Sequence, residues 1–254
     1  MSELLSNPYF YLAAVPAMLI FGISKGGLGA GLGVMGVPII SLVMPVSQAA
    51  AIMLPVLCLM DLFAVFAYRK RLWNKEILLN IIPAGALGIL LGSFFLTSVR
   101  PEVLKISVGL IAILYFLKMK FYHKSLEPKR TSKVAGGFWG AVSGFTSTIA
   151  HSGGPPISIY LLPLRLDKTI FLGTTVIYFT TVNYLKLIPY MYLDLINTEN
   201  MYLSVILMPI APVGIFLGVW LKNRINEKIF YEICYWSLLI TGLKLTWDGL
   251  SFYL

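Results

Sequence analysis

Charge is scarce in this 254-residue chain. Charged residues make up 12% of it, against 58% hydrophobic residues, where a soluble domain carries about a quarter charged residues. A polypeptide of this size folded in water must still solvate a large polar surface, so the shortage excludes an ordinary soluble globule and, with so apolar a composition, a disordered chain as well. Cysteine is scarcer still. Cys58 and Cys234 sit deep in apolar runs and read as small buried hydrophobes, which excludes a disulfide scaffold. Histidine also occurs only twice, so no recognisable metal-ligand spacing exists and no cofactor is expected. No lysine or arginine precedes Lys25, so a cleaved signal peptide with a basic leading region is not expected.

What the chain has in quantity is hydrocarbon, in runs long enough to cross a bilayer, which takes roughly 20 helical residues. Residues 47–68, 77–98 and 102–121 form one set of three, and residues 169–191, 201–221 and 228–247 a second. The net charge of +9 is confined to the connections. Arg69, Lys70, Arg71 and Lys75 form one cluster, and Lys118, Lys120, Lys124, Lys129, Arg130 and Lys133 another. Arg165 with Lys168, and Lys222 with Arg224 and Lys228, complete the set. Short basic loops between apolar spans are the product of the positive-inside bias, so topology accounts for the charge without a nucleic-acid partner. That bias puts these loops in the cytoplasm. The 192–200 connection, with Asp194 and Glu199 but no basic residue, and both termini then fall outside.

Ahead of each trio lies a segment dense in glycine and proline, residues 8–45 and 134–163. The second is too short for two full crossings and a turn, so it reads as a re-entrant hairpin with an unwound centre. The two halves match in sequence. Phe21, Gly22, Gly26, Gly36 and Pro38 meet Trp139, Gly140, Gly144, Gly154 and Pro156 at one constant offset. With small gaps Asp61 meets Asn183, and Pro83, Gly88 and Gly92 meet Pro209, Gly214 and Gly218. The expected fold is therefore an all-α polytopic membrane protein of two inverted-topology repeats, each a Gly/Pro-broken hairpin followed by three transmembrane helices. The repeats are residues 1–121 and 134–254, joined by a basic cytoplasmic linker over 122–133. Inverted repeats with discontinuous helices meeting at midplane are the sequence pointer to a secondary transporter.

The chemistry concentrates in the two broken segments. Gly31, Gly33 and Gly36 spell a dinucleotide-binding pattern, but no strand precedes it and no acid stands at the ribose-binding distance, so it carries no such meaning. The Gly88/Gly92 and Gly214/Gly218 pairs have the spacing of close helix packing. Flexible backbone just before Pro38 and before Pro155 and Pro156 suits the start of a new helix, whose free N–H groups attract an anion. Gly26, Gly33, Gly36, Gly153 and Gly154 are candidate backbone contacts, Thr146, Ser147, Thr148 and Ser152 candidate hydroxyl donors, and Lys25 a candidate fixed charge. The competing reading has the glycines permit packing and the hydroxyls cap helix ends. Ionisable residues at bilayer depth are functional candidates by default. His151, Asp61 and Lys186 are accordingly the proton-coupling or gating candidates, with Asp61 and Lys186 able to pair across the repeat axis. A serine nucleophile at Ser147 or Ser152 beside His151 lacks an orienting third group, so no enzyme is expected.

The Gly-rich segment at residues 22–38, its repeat at 140–156, the basic central linker and the overall length resemble the TauE/SafE family of sulfite and organosulfonate transporters. The resemblance implies a multi-pass plasma-membrane (inner-membrane) protein that moves a small sulfur oxyanion such as sulfite, thiosulfate or an organosulfonate, often outward. Its partners would be that anion and the lipid bilayer, with a coupling proton and a homodimer among the arrangements it allows. An anion channel and a membrane enzyme or assembly factor without flux are the other classes consistent with the residues.

Overall fold

In a computed structural model of the chain, residues 7–29, 31–69, 72–95, 100–122 and 130–253 are described. Most of the expected linker, with Lys124 and Lys129, and two members of the first basic cluster, Lys70 and Arg71, lie outside the described residues. Of the described residues 84% are helical, and none is in a strand. Helix α1 (Pro8–Ile23) runs without a break into a π-turn (Ser24–Leu28); a 3-10 turn (Leu32–Met35) then leads into the short α2 (Gly36–Ile40). Helices α3 (Val46–Ala67), α4 (Lys75–Phe94) and α5 (Pro101–Leu117) complete the first half. The second half comprises α6 (Lys133–Ala150), α7 (Gly154–Leu161), α8 (Lys168–Tyr192), α9 (Thr198–Leu207), α10 (Ile210–Arg224) and α11 (Glu227–Leu250).

The long apolar runs are helices close to where periodicity and length put them, with one exception. The single span expected at 201–221 is two helices, α9 and α10, bent by 45° at the break between them. Pro209 stands at that break and caps α10, where it has no N–H to continue the ladder. Side chains close most other helix starts. Asn74 accepts the Ile77 amide at 3.0 Å, Asn226 the Ile229 amide at 2.8 Å, and Asp167 the amides of Thr169 and Ile170, each satisfying donors that no helical carbonyl reaches. The first broken segment opens with 21 helical residues, 8–28, about 31 Å of helix and enough to span the hydrocarbon.

The helices pair between the halves. Helix α1 lies along α10, α4 along α6, α5 along α11, and α3 along α8. Glycine makes the approaches close. A Cβ on Gly27 would stand 1.8 Å from the Gly218 carbonyl oxygen, and one on Gly88 2.0 Å from that of Ala141, so the small-residue spacings are packing surfaces, as bilayer helices require when no hydrophobic force draws them together. The perimeter is apolar. Leu79, Leu87, Phe94, Leu114, Ile188 and Trp247 are all more than 60% exposed, a surface that water would not tolerate over so much of the protein but that lipid covers. The basic connections around Lys120, Arg165, Lys168 and Lys222 meet at one end, with Arg100 and Lys105 at the opposite end of α5. Lys120 bonds Glu232 at 3.2 Å, Arg165 stacks on Tyr231 and Tyr235, and Lys222 lies over Tyr68.

Gly27→Leu and Gly88→Leu are each expected to destabilise the purified protein by more than the 1–3 kcal/mol typical of an overpacked site, since backbone and not a movable side chain fills the space. Thermal unfolding in detergent, followed by loss of monodispersity, measures this; a substitution at exposed Leu87 serves as the neutral control.

Candidate functional site

Both broken segments turn back inside the bundle, and each turn is made by a residue with positive φ. In the first it is Gly29, at φ 80°, a conformation that favours glycine. In the second it is His151, at φ 49°, where a side chain is uncommon and costs about 1 kcal/mol or more. A strained residue is retained where its side chain is needed, and both ring nitrogens of His151 are in use. Nε2 lies 3.1 Å from the Tyr190 hydroxyl and Nδ1 3.4 Å from Lys186 Nζ.

Between the two turns, α3 and α8 lies a cavity of about 40 Å³, room for several water-sized groups, since one water needs roughly 10–15 Å³. The first hairpin lines it with Ser24, Lys25, Gly29 and Gly33; the second contributes Ser147, His151 and Gly154. Helix α8 adds Thr175, Asn183 and Lys186, while Phe21, Leu57 and Phe179 supply apolar wall. The expected candidates divide accordingly. Lys25, Gly33, Ser147, His151, Gly154 and Lys186 face the cavity, whereas Gly26 and Gly36 do not. A Cβ on Gly26 would meet the Ile215 carbonyl oxygen at 2.4 Å, and one on Gly36 would meet Met53 and Phe21 at 2.8 Å, so both are contact glycines. The Gly36 amide bonds the Gly33 carbonyl. Even Gly33, though it lines the cavity, gives its amide to Ser24 Oγ at 3.0 Å.

Among the hydroxyls, Thr146 donates to the carbonyls of Val142 and Ser152, and Thr148 to that of Gly144. Ser152 and Gly153 are buried behind the cavity wall, where Ser143 Oγ donates to the Gly153 carbonyl at 2.7 Å. Ser147 is different. Its Oγ and carbonyl accept from Lys186 Nζ at 3.0 and 3.3 Å, which leaves its hydroxyl proton beside the cavity.

The ionisable residues pair otherwise than expected. Asp61 does not meet Lys186. It is fully buried and bonds Lys25 Nζ at 2.6 Å, with Thr180 Oγ1 donating to one carboxylate oxygen at 3.0 Å and Asn183 Nδ2 to the other at 2.8 Å. Proximity decides the exchange: Lys25 lies in the π-turn facing α3, and its Nζ also donates to the Leu57 carbonyl at 3.4 Å. Lys186 has no exposed surface, so it does not snorkel to an interface. Its bonding partners are Ser147 and His151, and no acid pairs with it among the described residues. The site thus has one ion pair, Lys25–Asp61, and one buried lysine, Lys186, to which no acid is bonded among the described residues; an anion beside that amine would favour its charged form. Sequence reasoning missed Ser24, Thr180 and Tyr190 as members of this network; as hydroxyls inside apolar runs they left only a weak signal. Among the described residues no cluster could hold a metal ion.

The sequence profile described as sulfite exporter TauE/SafE matches residues 14–245. The chain belongs to this family. Its members are membrane transporters and not enzymes, and a multi-pass membrane protein with a buried cationic cavity fits that assignment. Comparison with curated proteins and with solved structures returned no match.

Removing one partner of the buried Lys25–Asp61 pair strands the other, so Asp61→Leu is expected to cost about 3–5 kcal/mol. The double variant Lys25→Met/Asp61→Leu should recover much of that loss, as thermal unfolding of the two purified variants would show. A double variant no more stable than the single one would mean that the pair contributes through more than its charges.

Proposed function

We propose that the protein is a secondary transporter that carries a small sulfur oxyanion, sulfite being the first candidate, through the cavity between the two hairpins by alternating access. The observation that carries this reading is Lys186, a fully buried lysine in a small cavity with no acid bonded to it among the described residues. The anion takes the place of its counterion. Ser147, polarised by the Lys186 ammonium, and the amide of Gly154 at the start of α7 donate to the anion, while Lys25, held by Asp61, shapes the opposite wall. Thr146, Thr148, Gly26 and Gly36 keep the hairpins closed and packed. The size of the cavity suits an anion of a few heavy atoms.

Two features support the inverted-repeat architecture with its halves at 1–121 and 134–254. Exchange of the halves leaves the set of helix pairings unchanged, because α1 on α10 becomes α6 on α4 while α3 on α8 and α5 on α11 return to themselves. Asp61 and Asn183, matched in the sequence, touch each other at 2.8 Å, as equivalent residues do beside a twofold axis. Rocking of one repeat against the other then exposes the cavity to either side. The basic end is cytoplasmic in this reading, both termini lie outside, and the membrane is the cytoplasmic one. Efflux of an anion runs down an inside-negative potential and needs no coupled proton, so export is the favoured direction.

Labelled sulfite should move into proteoliposomes of the purified protein with saturable kinetics and compete with unlabelled sulfite, while a current that never saturates would indicate a channel. Lys186→Gln, with its folded state verified by monodispersity, is expected to lower the flux at least about tenfold, which corresponds to the loss of about 1.4 kcal/mol of binding. Wild-type flux in Lys186→Gln would remove that residue from the site. A cysteine placed at Arg224 should react with a membrane-impermeant thiol reagent only from the cytoplasmic side, and one placed at Asp194 only from the outside.

A further inference from the structure

We infer that the cavity selects anions by charge, taking a singly charged oxyanion over a doubly charged one; the inference rests on the transport reading above. Groups facing Lys186 come from every wall. The first hairpin presents Lys25, α3 presents Asp61 and Cys58, the second hairpin presents His151, and α8 itself carries Tyr190. Lys25 and Asp61 cancel at 2.6 Å. The buried Cys58 thiol and Tyr190 phenol carry no charge.

His151 is fixed as neutral by its neighbours. Its Nδ1 faces the Lys186 ammonium at 3.4 Å, and because an ammonium has only protons to offer, Nδ1 is the acceptor. The ring proton is therefore on Nε2, donated to the Tyr190 hydroxyl at 3.1 Å, and that hydroxyl passes its own proton to the Thr148 carbonyl at 3.0 Å. A second ring proton would point at Lys186. With Lys186 in the ammonium form that a neighbouring anion favours, the sum over these groups is one positive charge. One negative charge closes that account, whereas a dianion leaves a net negative charge buried in a medium where uncompensated charge is costly.

For sulfur oxyanions the distinction is chemical. The sulfite couple titrates near neutral pH, so hydrogen sulfite and sulfite coexist there, and organosulfonates are monoanions throughout. Thiosulfate and sulfate are dianions. The cavity is thus matched to hydrogen sulfite or a small organosulfonate.

The test uses competitors whose charge does not change with pH, so that no titration of the protein enters the comparison. Displacement of labelled sulfite from the full-length protein in nanodiscs at one fixed pH should require at least about tenfold less methanesulfonate than sulfate or thiosulfate. Asp61→Asn raises the cavity charge by one and should move the ratio at least about tenfold towards the dianions. Lys25→Met/Asp61→Leu reshapes that wall and is expected to change the affinity for sulfite, yet it leaves the charge sum at one, so the ratio should still favour methanesulfonate over the dianions at least about tenfold; loss of that ratio in this variant would also overturn the charge selection, which preserves the test if Asp61→Asn does not fold. Dianions displacing sulfite as well as or better than methanesulfonate would overturn the charge selection while leaving the transport reading in place. If folded protein bound no labelled sulfite and no competitor stabilised it against heat, both would fall.

Discussion

Breaking a helix inside a bilayer exposes carbonyls that no water can reach, and the rest of this structure depends on how they are satisfied. In the first hairpin Tyr68 donates to the Gly26 carbonyl and Cys234 to that of Leu28, while Ser24 closes on Gly29 and Thr241 on Gly31. The second hairpin has the same arrangement with different donors. Thr146 reaches Ser152, Ser143 reaches Gly153, Tyr190 reaches Thr148, and Lys186 reaches Ser147. Donors from α3, α8 and α11 therefore hold the turns where they are. The cavity exists because those helices stand around two unwound points and bring their polar side chains with them.

The same constraint explains how the charges are arranged. A cation buried without a partner is expensive, and the chain carries two at the cavity, Lys25 and Lys186. Asp61 offsets the first and is itself held on both oxygens by Thr180 and Asn183, so that side of the site is fixed, neutral and shared between the two halves of the chain. Lys186 has no such pair: its Nζ bonds dipoles, those of the Ser147 carbonyl and hydroxyl and of the His151 ring, and Asp61 acts on it only from a distance. A dipole-stabilised cation is a weaker solution than an ion pair, and it keeps an affinity for an anion that the paired lysine has already given to Asp61.

Much of the fold was legible in the sequence because hydrocarbon thickness sets helix length. The runs at 47–68, 77–98 and 169–191 are α3, α4 and α8 to within a few residues. The bend at Pro209 was not, since a proline within an apolar run is equally compatible with a continuous helix: Pro16, Pro55 and Pro83 all lie inside helices here. At the site the sequence marked the right neighbourhood but not which side chains face inward. Ser143, Thr146 and Thr148 and their neighbour Ser147 look alike as hydroxyls in a Gly-rich stretch, yet on the helix only Ser147 points to the cavity while the threonines bond back to carbonyls one turn earlier. Asp61 met Lys25 instead of Lys186 because the pairing depends on where the π-turn sets Lys25 beside α3, and no linear pattern encodes that placement.

In the inverted-repeat reading proposed above, symmetry in the scaffold and asymmetry in the site are compatible for a physical reason. Helix pairing between the halves needs only small residues where backbones meet, and both halves supply them, with Gly22 against Gly214 and Gly144 against Gly85. A binding site with strict twofold symmetry would place like charges opposite each other, two lysines or two aspartates across the axis, and would repel itself when empty. Replacing one member of each equivalent pair removes that repulsion. Asp61 faces its counterpart Asn183 and accepts a hydrogen bond from it, where a second aspartate would have left two buried carboxylates in contact. Lys25 is then paired with Asp61 within its own half, while Lys186 in the other half is left without a bonded acid, so in that reading the divergence of the two halves gives the site a defined sign.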